Sequence, residues 1–83
     1  MEVSFRQLRV FIAVAHQGSM ARAAATLHVT PPAISMVIRD LEAQVGLPLF
    51  DREGRKLSLS AGGKWFLEHA RKLMASLKEA EDA

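Results

Sequence analysis

The chain has no cysteine among its 83 residues, which excludes a disulfide framework and any thiolate metal site and fits a reducing, cytoplasmic setting. It has no apolar run near the ~20 residues a membrane span needs, and residues 1–5 lack the charged and then apolar layout of a secretory signal. Neither export nor membrane insertion is expected. Net charge is small too: eleven Lys and Arg against nine Asp and Glu leave a formal +2. The acids are unevenly placed, however. Glu79, Glu81 and Asp82 sit in the last five residues, so residues 1–78 carry eleven cations against six acids. A basic body supports nucleic-acid binding through phosphate neutralisation, although the same balance occurs in proteins that bind none.

Recognisable catalytic equipment is also missing. His16, His28 and His69 are far apart and show no metal-ligand spacing, and neither Ser35 nor Ser60 stands in a nucleophile motif. No catalytic residue, metal or cofactor is expected; His28 reads as a turn or packing residue. With 49% apolar residues, a chain of this length makes one small domain with a modest core.

What the chain does have is two helix-length segments, 19–27 and 30–45, joined by almost nothing. Ser19 can cap the first, and Thr30 followed by Pro31 can cap and start the second. Helices that close in sequence must cross steeply, the geometry of a helix-turn-helix. Small residues at Ala21, Ala23, Ala24 and Ala25 suit the first as a support helix, and His28 with Val29 forms the turn. In the second, Ile34, Val37, Ile38, Leu41 and Val45 share one stripe at about 100° per residue. Pro32, Ser35, Met36 and Arg39 fall opposite. An exposed Met beside an exposed Pro is unusual on a merely solvated face. Base readout would explain it: Arg39 could pair with guanine O6 and N7, Ser35 with a base edge or phosphate, and Met36 and Pro32 with a thymine methyl. The alternative is an ordinary amphipathic helix with an idle outer face. Periodicity alone does not separate the two.

Around this unit the pattern predicts further elements. Ser4 and Gln7 form a capping-box pair ahead of Phe5, Leu8, Phe11, Ile12, Val14 and Ala15, a helix that ends at Gly18. Gly46 and Pro48 stop the helix that begins at Pro31, and Leu49 with Phe50 should anchor in the core. The charged stretch 51–56, centred on Gly54 and followed by Leu57, Ser58 and Leu59, predicts a short hairpin with Arg52, Arg55 and Lys56 near its tip. Those cations could clamp a phosphate backbone or enter a minor groove, or simply form a solvated turn. Ser60 can cap a final helix whose apolar face runs through Phe66, Leu67, Ala70, Leu73, Met74, Leu77 and Ala80. Its first half can cover the domain, but at roughly 1.5 Å per residue the rest should outreach so small a body and needs a partner, read as a second copy of the helix. The other option is a helix folded wholly onto its own core. The resulting fold class is mainly α: a winged helix-turn-helix over 1–59, with a three-helix core and a short β-hairpin wing, followed by a linker and dimerisation helix over 60–83.

Five blocks in order, LRVF, GSMARAAATLHVT, PPAIS, LEAQVGLPLF and LSLSAGG, resemble the amino-terminal DNA-binding domain of the LysR-type transcriptional regulators across essentially the whole chain. The resemblance implies sequence-specific binding to double-stranded DNA. Ser19, Arg22 and the Thr30 end would approach phosphates, and Pro31, Pro32, Ser35, Met36 and Arg39 would lie near base edges. Arg52, Arg55 and Lys56 would form the wing, and Phe66, Ala70, Leu73, Met74 and Leu77 the dimer interface. It further implies an interrupted inverted repeat as target, a homodimer or tetramer, and a small-molecule effector bound by a sensing domain outside this chain. Two departures stand out: Pro31 where many relatives have Gln, and Met36 where many have a cation or polar residue. Readout should then lean on methyl contacts and DNA shape, with Arg39 as the main polar reader. A winged helix used for protein contacts is the rival reading. Arg39 and the wing cations argue against it.

Overall fold

The structure, a computed structural model, describes residues 2–53 and 56–82, and the side chains at 52, 53 and 56 fall outside it. Four helices and a hairpin follow one another: α1 (Phe5–Gln17), α2 (Met20–Leu27), α3 (Pro31–Val45), β1 (Phe50–Glu53), β2 (Lys56–Leu59) and α4 (Ala61–Asp82).

Each helix begins where the sequence supplies a cap. The Ser4 Oγ accepts from the Gln7 N–H at 3.2 Å while Gln7 Oε1 accepts from the Ser4 N–H at 2.9 Å, a complete capping box. The Ser19 Oγ accepts from the Arg22 N–H at 3.2 Å, and the Thr30 Oγ1 from the Ala33 N–H at 3.3 Å. The first three helices end on left-handed residues: Gly18, His28 and Gly46. Glycine adopts this conformation without strain, but His28, at φ 58°, does not. Its N–H and that of Val29 reach back to the carbonyls of Ala25 and Ala24, so the chain reverses in two residues and α3 starts beside the end of α2.

The core lies among α1, α2, α3 and the first half of α4. Phe11, Val14, Ile34, Leu41 and Leu49 are its largest fully enclosed side chains. The Phe11 ring meets Phe66 edge-on at 5.4 Å and Phe50 in a tilted arrangement at 5.5 Å, joining α1 to α4 and to the start of the hairpin. Ala23 and Ala24 are buried, and their small size lets α2 approach its neighbours closely. Phe5, placed on the apolar stripe of α1 by its spacing, is 48% exposed, although Leu8 in the same turn is buried. The hairpin is antiparallel, pairing Phe50 with Leu59 and Glu53 with Lys56.

Polar contacts of Glu42 and Ser60 fasten the segment between α3 and the hairpin. The Leu49 N–H donates to Glu42 Oε2 at 2.8 Å, tying it back to α3. Ser60 is buried, donating its hydroxyl to the Pro48 carbonyl at 2.6 Å and accepting from the Gly63 N–H at 2.9 Å. Gly63 is needed there. A Cβ at 63 would run into the carbonyl oxygen of Leu49, so only glycine lets the first turn of α4 sit so close.

Phe66 and Ala70 are 9% and 2% exposed. Both were expected at a dimer interface, but they pack inside the fold because the first half of α4 lies against α1, with Phe66 against the Phe11 ring. Beyond Ala70 the helix emerges by degrees, Leu73 being exposed while Met74 still packs against the core. The molecule spans 44 Å along its longest axis against 27 and 20 Å along the others. At roughly 1.5 Å per residue, α4 with its 22 residues is longer than either shorter dimension.

Candidate nucleic-acid interface

The inner stripe of α3, Ile34, Ile38 and Leu41, is buried, with Val37 and Val45 half-buried at its margins. That anchoring fixes which side faces outward. Pro31, Pro32 and Arg39 are exposed, and Met36 is exposed to 63%. Ser35 is half-buried rather than fully outward, so its hydroxyl lies at the edge of this face. The outward side is thus a convex ridge with a thioether, two pyrrolidine rings and one guanidinium. An α-helix about 10–12 Å across matches a major groove about 12 Å wide.

The N-terminal end of this ridge has an unusual hydrogen-bonding inventory. Pro31 and Pro32 have no N–H. The Ala33 N–H is taken by Thr30 Oγ1 and the Ile34 N–H by the Thr30 carbonyl. The Thr30 hydroxyl proton, by contrast, is free to be donated, and so is that of the half-buried Ser19 at the start of α2. Arg22, one turn into α2, is exposed. Among the described residues the one ion pair is Glu68–Lys72 on α4, at 3.6 Å, so no acid neutralises Arg22 or Arg39.

Thr30, Pro32 and Met36 line one open hollow of about 510 Å³, together with Ala33, Val37, Gln7 and Arg6. Arg6 was not singled out from the sequence. Nothing local marks it, because its relevance arises only when α1 packs its first turn against the start of α3. Of the wing cations, Arg55 and the side chains of Arg52 and Lys56 lie outside the described residues, while the backbones of Arg52 and Lys56 stand in the two hairpin strands. Of the final stripe, Leu73 is half exposed and Met74 and Leu77 are half-buried, with Leu77 lining a groove beside Arg9 and Met74.

Among the described residues, no three His, Asp or Glu side chains gather where they could hold a metal ion. No described helix is long and apolar enough to cross a membrane.

Comparison with known proteins agrees with this geometry. Residues 5–64 match the family described as bacterial regulatory helix-turn-helix protein, lysR family. The RuBisCO operon transcriptional regulator of Allochromatium vinosum is 46% identical over 82 residues, covering 99% of this chain and 27% of that protein. The chain therefore spans about a quarter of the length of the curated relatives it matches. The crystal structure of the CbnR_DBD-DNA complex superposes with a TM-score of 0.91 at 44% identity, covering 96% of this chain and 92% of that one. The BenM_DBD/benA site 1 DNA complex superposes with a TM-score of 0.92 at 30% identity, covering 96% and 90%.

Proposed function

Because the chain belongs to the LysR family of bacterial regulatory helix-turn-helix proteins, we propose that it is the DNA-reading part of a transcriptional regulator. It binds double-stranded DNA sequence-specifically, with α3 in the major groove and the hairpin against the backbone or minor groove. The observation that carries this is the outward ridge of Pro32, Met36 and Arg39 on a helix whose opposite side is sealed into the core. Likeness to two structures solved as DNA complexes supports it. The chain is not an enzyme: its relatives are transcriptional regulators. No similarity found favours the protein-contact alternative.

Within this reading each side chain has a task. Arg39 pairs with a guanine edge, Met36 and Pro32 touch thymine methyls, Pro31 packs at the groove entrance, and Ser35 reaches a base or phosphate from the edge of the ridge. Ser19, Thr30 and Arg22 hold phosphates, the first two through hydroxyls that also cap helices. Arg52, Arg55 and Lys56 are assigned to the backbone or minor groove from the sequence alone. Two copies pair through Leu73, Met74 and Leu77, which gives the target the symmetry of an interrupted inverted repeat. In the full-length regulator, a sensing domain beyond this chain binds a small effector and can extend dimers to tetramers. The whole works in the bacterial cytoplasm, where its DNA is.

Selection of bound sites from a random duplex pool tests the reading in one measurement. The expected product is a two-fold symmetric consensus with a fixed half-site spacing. Recovery of a pool with no enriched sequence would remove it.

A further inference from the structure

We infer that Arg6, on the first turn of α1, is a charged phosphate-holding side chain at the N-terminal end of the recognition helix, beside the Thr30 hydroxyl; this contact rests on the DNA-binding reading above. Three observations converge on it. First, Arg6 lines the same open hollow as Thr30, Pro32 and Met36, so a duplex seated on the ridge passes over it. Second, this helix end offers a phosphate few free backbone donors, the Thr30 N–H alone among the amides of the cap and first turn. Recognition helices commonly receive a phosphate on the amides of their first turn. Here two of those amides are replaced by proline nitrogens, and the next two are bonded to Thr30. The helix dipole still favours an anion at that point, but beyond the Thr30 amide the N–H groups must come from side chains. Third, Arg6 is exposed and has no carboxylate partner among the described residues, whose one ion pair is on α4.

The neighbouring groups do not compete for the role. Gln7 is neutral and held by its Oε1 in the α1 capping box, so its amide nitrogen brings a phosphate no charge. Arg9 lines the adjacent groove with Leu27, Val29, Ile34 and Val37 but not the hollow beside Met36. The contact is to phosphate rather than to a base for a geometric reason. An α-helix nearly fills the width of a major groove, so a side chain arriving from a flanking helix meets the groove wall, which is the sugar-phosphate backbone. Leu8, Val10 and Phe11 are buried and hold the first turn of α1 in place, so the guanidinium is delivered from a rigid base.

The test uses the whole 83-residue chain and two probes, a duplex recovered by the selection described above and a scrambled duplex of equal length. Binding is titrated at several salt concentrations. Arg6→Ala should weaken both duplexes and make the slope of log K against log salt shallower by about 0.9, the release expected for one phosphate contact on B-DNA. Arg6→Lys, which keeps a point charge, should recover most of that slope. Arg71→Ala, which removes another exposed cation, on α4, should leave it unchanged. The base preference obtained by selection with Arg6→Ala should match that of the unaltered chain. A slope unchanged by Arg6→Ala overturns the proposal, and so does a changed preference at a single base position, which would make Arg6 a base reader. Absence of salt-dependent duplex binding by the unaltered chain is a different result: it overturns the DNA-binding reading itself, and this contact with it.

Discussion

His28 holds the turn between α2 and α3 in a left-handed conformation while its side chain is exposed. For an L-residue that conformation costs roughly 1–2 kcal/mol, of which glycine would recover part, less the ~0.4–1 kcal/mol of extra chain entropy that glycine adds to the unfolded state. His28→Gly should therefore raise stability by about 0.5–1 kcal/mol, seen as a higher urea midpoint at unchanged slope. A lower midpoint would mean that the imidazole makes a stabilising contact the geometry does not suggest. Gly63 is the opposite case. Its two nearest neighbours are the carbonyl oxygen and carbon of Leu49, which are backbone and cannot swing aside as the Leu59 Cδ2 tip can. Gly63→Ala should cost about 2–3 kcal/mol by overpacking and lower the thermal midpoint of a domain this size by roughly 10 °C or more, as calorimetry would show. An unshifted midpoint would mean that the junction relaxes freely.

The recognition helix was the most legible element, because its signals are local. Thr30 and Pro31 mark its start, Gly46 its end, and the Ile34, Ile38, Leu41 stripe its inner side; all three stand in the structure. Arg39 is left outward by that stripe, so Arg39→Ala should cost roughly 1–3 kcal/mol on the selected duplex and relax preference at one base position. Parallel site selection with both chains checks this, and identical base preferences would exclude Arg39 as a reader. α4 was legible only in part. Its apolar face is continuous from Phe66 to Leu77, and nothing in the spacing says where cover by α1 stops. The Phe11 ring settles that: it claims Phe66, and Ala70 follows one turn later. Trp65, exposed and lying 4.8 Å from the His69 ring, was not anticipated either, since its position is set by the rotation of α4 on the core. Arg6 is the clearest instance of a feature hidden from the sequence, because its neighbours Pro32 and Met36 are far along the chain. Adjacency of that kind is tertiary.

Taken as a whole, the molecule is a small body with one arm. The body encloses Phe11, Val14, Ile34, Leu41 and Leu49, while Leu73 on the arm is 50% exposed. If two copies join through that arm, Leu73→Glu places two carboxylates into an apolar seam. The expected outcome is a halved mass in light scattering with the helical signal of far-ultraviolet circular dichroism unchanged. A retained dimer would move the interface elsewhere on the surface. The root of the arm is not a swivel. Ser60 bridges the Pro48 carbonyl and the Gly63 amide, and the absent side chain at Gly63 lets the helix seat directly on the Leu49 backbone. A pair of such molecules would then behave like calipers with welded jaws. The distance between the two tips would be dictated by how the shafts cross, and any twist imposed on the shafts would register along the DNA as a change in the gap that both tips can span.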